Sequence, residues 1–366
     1  MNAIIQPQQN KYLPSLDGLR CFSILCVIIT HINVTHGIIL DPRLTMFVNS
    51  GLFGVRVFFV ISGFIITTLL LRENAASGTI SLRNFYIRRA LRILPLAYIF
   101  LITLVALNSC WNLGIRSADL VASFCFFKNT HVATRGLTEH FWSLSVEEQY
   151  YLVFPLILTR GIKTYLVVCL CFIALYFGNN ILEHFRHVPA TETGGLKPIG
   201  DIIFSISTVS ILIGSLTSIL LFKQGHRMLT IPWNTALLTL VQVSAMLLAL
   251  LLSENVRYFG FTSFLSSCMI ALTLLLLVRF SQGPVYAVLN TRPVMFIGKI
   301  SFSLYIWQQL FTTGPPWAHW FKYGDSILLN LIALGVVAVF MHYAVEKPFM
   351  RLRAAMVSPV RSLRAE

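Results

Sequence analysis

The segment HFWSLSVEEQYYLVFPLIL, residues 140–158, decides between a soluble and a membrane fold for this chain. It has the length and apolar content of a membrane-spanning helix, with aromatic residues near one end. Yet Glu147 and Glu148 stand side by side within it. An acidic residue at the centre of a membrane helix costs about 2.5–3.5 kcal/mol on insertion scales. A membrane reading of this segment therefore requires a reason for the two carboxylates.

The composition of the whole chain favours the membrane reading. Of the 366 residues, 56% are hydrophobic and only 11% are charged, whereas soluble domains carry about 25% charged residues. The formal net charge of +14 would also suit a nucleic-acid partner. However, the basic residues cluster in short segments between apolar runs, which is typical of membrane orientation. We therefore expect membrane lipid, and no nucleic acid, as a partner.

Ten apolar runs are long enough to cross a bilayer. The sequence predicts an all-α polytopic membrane protein with about ten transmembrane helices, a single domain over residues 1–350 and a basic cytoplasmic tail over 351–366. The runs lie near residues 18–38, 51–71, 93–110, 142–159, 164–180, 200–222, 233–252, 257–280, 294–314 and 326–345.

The basic residues set the predicted orientation. If the N-terminus is cytoplasmic, 19 of the 28 Lys and Arg residues fall on cytoplasmic segments, 8 fall outside and Arg56 lies within a span. This split satisfies the positive-inside rule and places both termini in the cytoplasm. No small-residue cleavage site follows an apolar core at the N-terminus, so we expect the first helix to serve as its own signal-anchor. Cys110 and Cys125 fall on one outer connection, where a disulfide is an open alternative.

The first span combines three polar residues on or near one helical face. Arg20 and His31 are eleven residues apart, close to three full turns, and therefore about 16 Å apart along the axis. Asp17 lies near the same face. The pattern fits a capping Asp17, a snorkelling Arg20 and a His31 that bonds a neighbouring helix. It also fits a catalytic histidine whose helix reaches a cytoplasmic ligand.

Four arginines precede the third span, at positions 83, 88, 89 and 92. Such clusters fix orientation and contact anionic lipid. Guanidinium groups also bind phosphates through two parallel hydrogen bonds, so a soluble anionic cofactor is the second interpretation. In the fourth span, neighbouring residues point about 100° apart, so only one of the two glutamates can face a given cavity. A carboxylate beside His31 would leave one imidazole nitrogen free to act as a base.

These segments together resemble the membrane-bound acyltransferase-3 family of bacterial O-acyltransferases. The resemblance extends over almost the whole chain and rests on six stretches in family order and spacing. They are SLDGLRCFSILCVIITH (15–31), GVRVFFVISGFIITTLLL (54–71), FYIRRALRILP (85–95), FWSLSVEEQYYLVFP (141–155), ISFSLYIWQQ (300–309) and VEKP (345–348).

The resemblance implies an enzyme of the bacterial cytoplasmic (inner) membrane. It would move an acyl group, usually acetyl, from cytoplasmic acetyl-CoA to a hydroxyl of a sugar, in a surface polysaccharide, O-antigen or lipo-oligosaccharide. The acceptor would be a carbohydrate or a lipid-linked glycan, and no metal is expected. The chain resembles the minimal form of the family, without a fused esterase-like domain.

The resemblance also implies a set of site residues. The family pattern of arginine, ten residues and histidine falls on Arg20 and His31, its R-x-x-R motif on Arg89 and Arg92, and its S-V-E glutamate on Glu147. Many members have a histidine where this chain has Gln308, which leaves His31 as the main candidate; His342 is interpreted as structural. The predicted catalytic residues are His31, Glu147 and Asp17, and the predicted CoA-binding residues are Arg20, Arg88, Arg89 and Arg92.

Two alternatives stay open. Intramembrane histidine and glutamate also form the proton relays of transporters, although the repeated halves with broken helices that many transporters show are not apparent in the sequence. The acceptor could instead be a small molecule such as a macrolide. The outer connection His184–Asp201 is expected to shape acceptor choice.

Overall fold

The computed structural model describes residues 13–38, 41, 48–130, 136–186, 205–224, 234–253, 260–318, 320 and 322–356. Within these ranges the chain forms helices and turns and contains no strand. The α-helices are α1 (Pro14–His36), α2 (Gly51–Ser77), α3 (Leu82–Trp111), α4 (Ser117–Phe124), α5 (Phe141–Thr159), α6 (Ile162–Arg186), α7 (Ile206–Gln224), α8 (Thr235–Ser253), α9 (Phe261–Arg279), α10 (Pro284–Leu289), α11 (Arg292–Lys299), α12 (Ser301–Thr312), α13 (Ile327–Met341) and α14 (Lys347–Met356).

In the described part, eight helical segments are long and apolar enough to cross a membrane. They are α1, α2, α3, most of α6 and α7, α8, α9, and the run from α13 into α14. This is the make-up of a multi-pass membrane protein, so the all-α membrane fold that the sequence predicts is confirmed at this level. The finer count of ten spans and the cytoplasmic termini stay predictions; residues 1–12 and 357–366 lie outside the described ranges.

The two other predicted spans correspond to α5 and to the pair α11–α12. Helix α5 is 19 residues long, but Glu147, Glu148 and Gln149 in its centre lower its hydropathy. The run 294–314 is broken because α11 ends at Lys299 and α12 begins at Ser301, with Ile300 between them. Each half alone is shorter than the roughly 20 residues that a helical span needs.

Glycines allow two central helices to approach closely. A Cβ on Gly63 of α2 would lie 1.9 Å from the carbonyl oxygen of Ile211 in α7, and one on Gly214 would lie 2.0 Å from that of Val60. Lipid supplies no hydrophobic force between helices, so such close backbone packing and interhelical hydrogen bonds hold them together. Thr67 and Ser215, 2.6 Å apart, form one of those hydrogen bonds.

Helix α1 packs against α2, α11 and α12. At its N-terminal part, a Cβ on Gly298 of α11 would lie 1.8 Å from the carbonyl oxygen of Asp17. Only glycine allows this contact. The contact fixes the position of α1, which carries both Arg20 and His31.

The last span contains a π-helical turn, His342–Glu346, between α13 and α14. Such turns insert one extra residue into a helix and are frequent at functional sites. Helix α14 packs on α3 and crosses the domain boundary that the sequence suggests at residue 350. The division into domain and tail stays a prediction.

Candidate active site

Three arginines from two helices surround one carboxylate. Arg89, Arg20 and Arg92 all interact electrostatically with Glu147. The hydroxyl of Ser62 in α2 donates a hydrogen bond to Glu147 Oε1 at 2.6 Å. Buried charges require such compensation, because an unpaired ion in an apolar interior is costly. We call this group, together with Glu346 described below, the arginine cluster.

Arg89 is held over an aromatic ring. Its guanidinium carbon lies 3.7 Å from the centroid of Tyr151, one turn after Glu147 on α5. This is a cation–π contact, which adds to the fixing of a planar guanidinium. Glu148 also interacts electrostatically with Arg89. The buried atoms Arg89 Nε and Glu148 Oε1 make no hydrogen bond within the described part of the chain.

Glu346 completes the arginine cluster. It lies at the end of the π-helical turn and interacts electrostatically with Arg92. The hydroxyl of Ser303 in α12 donates to Glu346 Oε1, and His342 Nδ1 lies 3.1 Å from Glu346 Oε2. The stretch VEKP contributes to the family resemblance, but the sequence alone does not indicate a role for Glu346. A charged residue near the end of an apolar run was the available signal.

Two predicted site residues have other immediate partners. Asp17 is buried and its carboxylate lies 3.5 Å from Arg20 Nη1. It precedes His31 by fourteen residues of one helix, about 21 Å along the axis, so it cannot act directly at His31. Arg88 forms an ion pair with Glu73 at 2.9 Å. Its role as a contact for the donor stays a prediction.

His31 lies in the C-terminal half of α1, partly buried and eleven residues beyond Arg20. The helical rise separates the two residues by about 16 Å. The imidazole of His31 is within electrostatic range of a second imidazole, that of His140, which precedes α5. His31 and the arginine cluster therefore lie at opposite ends of one helix.

The sequence predicts that Glu147 lies beside His31, but no contact between these two side chains is found in the described part of the chain. A role of Glu147 at His31 stays a prediction. Glu147 follows His140 by seven residues, so it lies about 10 Å further along α5, towards the arginines. Its described partners are the three arginines and Ser62. The depth of α5 against α1 does not follow from the sequence, and the direction in which α5 crosses the membrane stays a prediction. Both carboxylates interact electrostatically with the arginine cluster.

A group of buried polar side chains from α5 and α12 surrounds His140. Its Nδ1 contacts Gln309 Oε1, and the hydroxyl of Tyr305 donates to the His140 carbonyl oxygen at 3.1 Å. Gln308, where many family members have histidine, is fully buried and accepts a hydrogen bond from Thr312 at 3.0 Å. We call His31, His140 and Gln309 the histidine cluster. No role for His140 follows from the sequence, because it lies just before the predicted span 142–159 and the family stretch 141–155.

No three His, Cys, Asp or Glu side chains converge as metal ligands within the described ranges. Cys110 and Cys125 are both exposed and are not joined by a disulfide. The outer connection expected to shape acceptor choice, His184–Asp201, has no described side chains. The chemistry available to the site is therefore that of two imidazoles, amides, hydroxyls and a group of charge-compensated arginines.

Comparison with known proteins defines the class. A family model described as an acyltransferase domain matches residues 13–345, almost the whole chain. The chain belongs to this family, the acyltransferase-3 family, and the resemblance stated from its motifs is confirmed. The matched range includes every residue of the two clusters except Glu346.

The named relatives are longer proteins. The "Peptidoglycan O-acetyltransferase OatA" of Listeria monocytogenes is 23% identical over 319 residues, which cover 81% of this chain and 49% of that protein. The "Putative peptidoglycan O-acetyltransferase YrhL" of Bacillus subtilis is 32% identical over 168 residues, 42% of this chain and 25% of that protein. The "Putative O-acetyltransferase SACOL0978" of Staphylococcus aureus is 34% identical over 167 residues, 42% and 26% respectively. The chain thus matches less than half the length of each. No solved structure is significantly similar to it.

Proposed function

We propose that this chain is a membrane O-acyltransferase. It moves an acyl group, in the simplest case acetyl, from acetyl-CoA at the arginine cluster to a sugar hydroxyl of a surface glycan at the histidine cluster. The observation that carries the proposal is the division of α1: Arg20 belongs to the arginine cluster and His31 to the histidine cluster, about 16 Å further along the helix axis. The relatives named for peptidoglycan support a glycan acceptor.

The arginine cluster suits the phosphates of CoA. Arg20, Arg89 and Arg92 present several guanidinium N–H groups, which match phosphate oxygens in charge and geometry. Arg89 is aligned by Tyr151, and its buried Nε makes no hydrogen bond among the described residues. Glu147 and Glu346 hold the arginines in place before the donor binds, and bound phosphates then supply further negative charge.

His31 is the proposed base of the reaction. It accepts the proton of the acceptor hydroxyl while that oxygen attacks the thioester carbonyl carbon. The new C–O bond forms as the C–S bond breaks, and the thiolate of CoA leaves and is protonated to the free thiol. An acetyl-histidine relay through the same imidazole is the covalent variant of this step. The long pantetheine arm of CoA spans the distance between the two clusters, so the phosphates stay at the arginine cluster.

The test measures ester-linked acetate in cells. A strain without the gene is complemented with wild type or with His31→Ala, and envelopes are treated with mild alkali to release acetate. Membranes from the same cells are incubated with acetyl-CoA labelled in the acetyl group. We expect alkali-labile label on glycan only with wild type. Label on a small molecule would replace the glycan acceptor by the macrolide-like alternative, and substrate flux without any transfer would support a transporter instead.

A further inference from the structure

His140 is a buried imidazole that the proposed mechanism does not use. It is 3% exposed and lies at the N-terminal end of α5. Its ring centroid lies 5.4 Å from that of Phe100, 4.9 Å from that of Phe141 and 5.6 Å from that of Tyr305. These aromatic rings pack around the imidazole, whose two ring nitrogens have different surroundings.

Gln309 determines which nitrogen of His140 carries the proton. The backbone N–H of His140 donates to Gln309 Oε1 at 3.1 Å, and a backbone N–H can only donate. The atom that faces it must therefore be the amide oxygen, which can only accept. His140 Nδ1 contacts the same oxygen, so the neutral ring carries its proton on Nδ1. The lone pair of the neutral imidazole is then on Nε2.

Two polar atoms of this pair make no hydrogen bond in the described part of the chain. One is His140 Nε2, a hydrogen-bond acceptor in this tautomer. The backbone carbonyl of Ile306 also interacts with the ring, and because a carbonyl only accepts, its partner must be the ring N–H. The other is Gln309 Nε2, a donor, on a side chain that is fully buried. Buried polar atoms without a partner are rare in folded proteins, so each one requires an explanation.

An adjacent acceptor and donor are complementary to a hydroxyl group. A hydroxyl donates one hydrogen bond and accepts others, so it can satisfy both atoms at once. A carboxylate or phosphate can only accept, and an ammonium group can only donate. His140 also lies within electrostatic range of His31, and α12, which carries Gln309, packs directly against α1. The pair therefore belongs to the same site as the proposed base.

We propose that His140 and Gln309 form a subsite that binds a hydroxyl of the acceptor. His140 Nε2 accepts its hydrogen bond and Gln309 Nε2 donates one to its oxygen. A hydroxyl has a single proton, so His31 and His140 bind two different hydroxyls, as on neighbouring carbons of a sugar. The inference rests on the proposed O-acyltransferase function and deepens it, because it makes the acceptor a polyhydroxy compound.

Two substitutions separate binding from structure. In His140→Asn, the amide nitrogen replaces Nδ1 and can still donate to Gln309, but nothing replaces Nε2. In His140→Gln, the longer amide can place an oxygen near the position of Nε2 but loses the donor to Gln309. A hydroxyl subsite predicts that Asn is the more harmful change. A purely structural role predicts the reverse order.

The measurement uses full-length protein in membranes with labelled acetyl-CoA and the native envelope acceptor. We expect His140→Asn to lower the transfer rate about 10- to 100-fold, the loss from one unpaired buried partner. The KM for acetyl-CoA should not change, since the arginine cluster is intact. His140→Gln should retain more activity than His140→Asn. Size-exclusion profiles in detergent report whether each variant is folded.

Each other outcome overturns the inference. A folded His140→Asn with the wild-type rate would show that the pair holds only a buried water. Equal losses with both variants, or a raised KM for acetyl-CoA, would show a structural role. If wild type itself produces no alkali-labile acetate, the proposed function fails and this subsite with it. If wild type is active and only the order of the variants is reversed, the subsite alone is wrong.

Discussion

The arginine cluster and the histidine cluster share helix α1, but they bury polar groups in different ways. In the arginine cluster, cations from α1 and α3 face carboxylates from α5 and the π-helical turn. In the histidine cluster, neutral imidazole and amide groups meet aromatic rings. Both clusters contain buried polar atoms without a hydrogen bond in the described part of the chain. One is thus suited to an anionic ligand and the other to a neutral one.

This difference indicates how one membrane domain can accept two unlike substrates. Charges in an apolar interior need counter-charges, so a permanent anion site must supply its own carboxylates. Neutral donors and acceptors can be left unpaired at a smaller cost, until a substrate hydroxyl pairs with them. Acetyl-CoA is highly charged at one end only, which matches this division of the site.

The largest expected effect concerns the sides of the membrane. Ala76, near the end of α2, and Ala118, in α4, are both exposed. The predicted topology places Ala76 on the cytoplasmic side and Ala118 on the outer side. On a functional background without native cysteines, Ala118→Cys should react with an impermeant thiol reagent in intact cells. Ala76→Cys should react only after the cells are opened. Equal reactivity in intact cells would end the idea that the clusters face opposite sides.

The next effect is the loss of the base. His31→Ala should lower acetyl transfer at least about 100-fold, the usual contribution of a general base. His36→Ala, five residues later on the same helix, is the matched control and should transfer acetyl at close to the wild-type rate. Initial rates with labelled acetyl-CoA provide the comparison. A His31→Ala enzyme with near-normal transfer would remove His31 from the chemistry.

A smaller effect separates charge from geometry in the arginine cluster. Arg89→Lys and Arg92→Lys keep the charge but lose the forked guanidinium. We expect each to raise the KM for acetyl-CoA about 10-fold, with little change in the dependence on acceptor. The control is Arg83→Lys, at an exposed position near the start of the same helix. If the transfer rate depends on acetyl-CoA concentration in both variants as it does in wild type, these arginines only set the orientation of the protein in the membrane.

The smallest expected effect tests the counter-charge. Glu147→Gln keeps an acceptor for Ser62 but removes the charge that faces Arg20, Arg89 and Arg92. The variant should melt at a lower temperature than wild type in detergent. Added CoA should raise its melting temperature more than that of wild type, because phosphate replaces the lost charge. Asp325→Asn, on the surface, should show neither change.

The sequence predicts the fold class well, since long apolar runs and basic flanks are local signals. It also predicts that Arg20, Arg89 and Arg92 share a region, because all three lie at the same ends of their spans. It cannot give the depth of α5 against α1, on which the predicted approach of Glu147 to His31 depends. Depth depends on interhelical contacts such as that of Gly298 with Asp17, which only the folded chain contains. For the same reason, the sequence does not predict that Gln309 is a partner of His140.

The contribution of Glu346 has a consequence for biogenesis. The arginine cluster draws on α1 and α3, near the beginning of the chain, and on the turn that precedes α14, near its end. Membrane helices are released from the ribosome in chain order, so Arg20 and Arg92 enter the bilayer long before their last counter-charge. Until α13 and the π-helical turn are inserted, the arginine cluster lacks the carboxylate of Glu346, and one face of the early helices has no packing partner. Assembly of the arginine cluster is therefore a late event, which requires that the first and last helices of the chain have packed together.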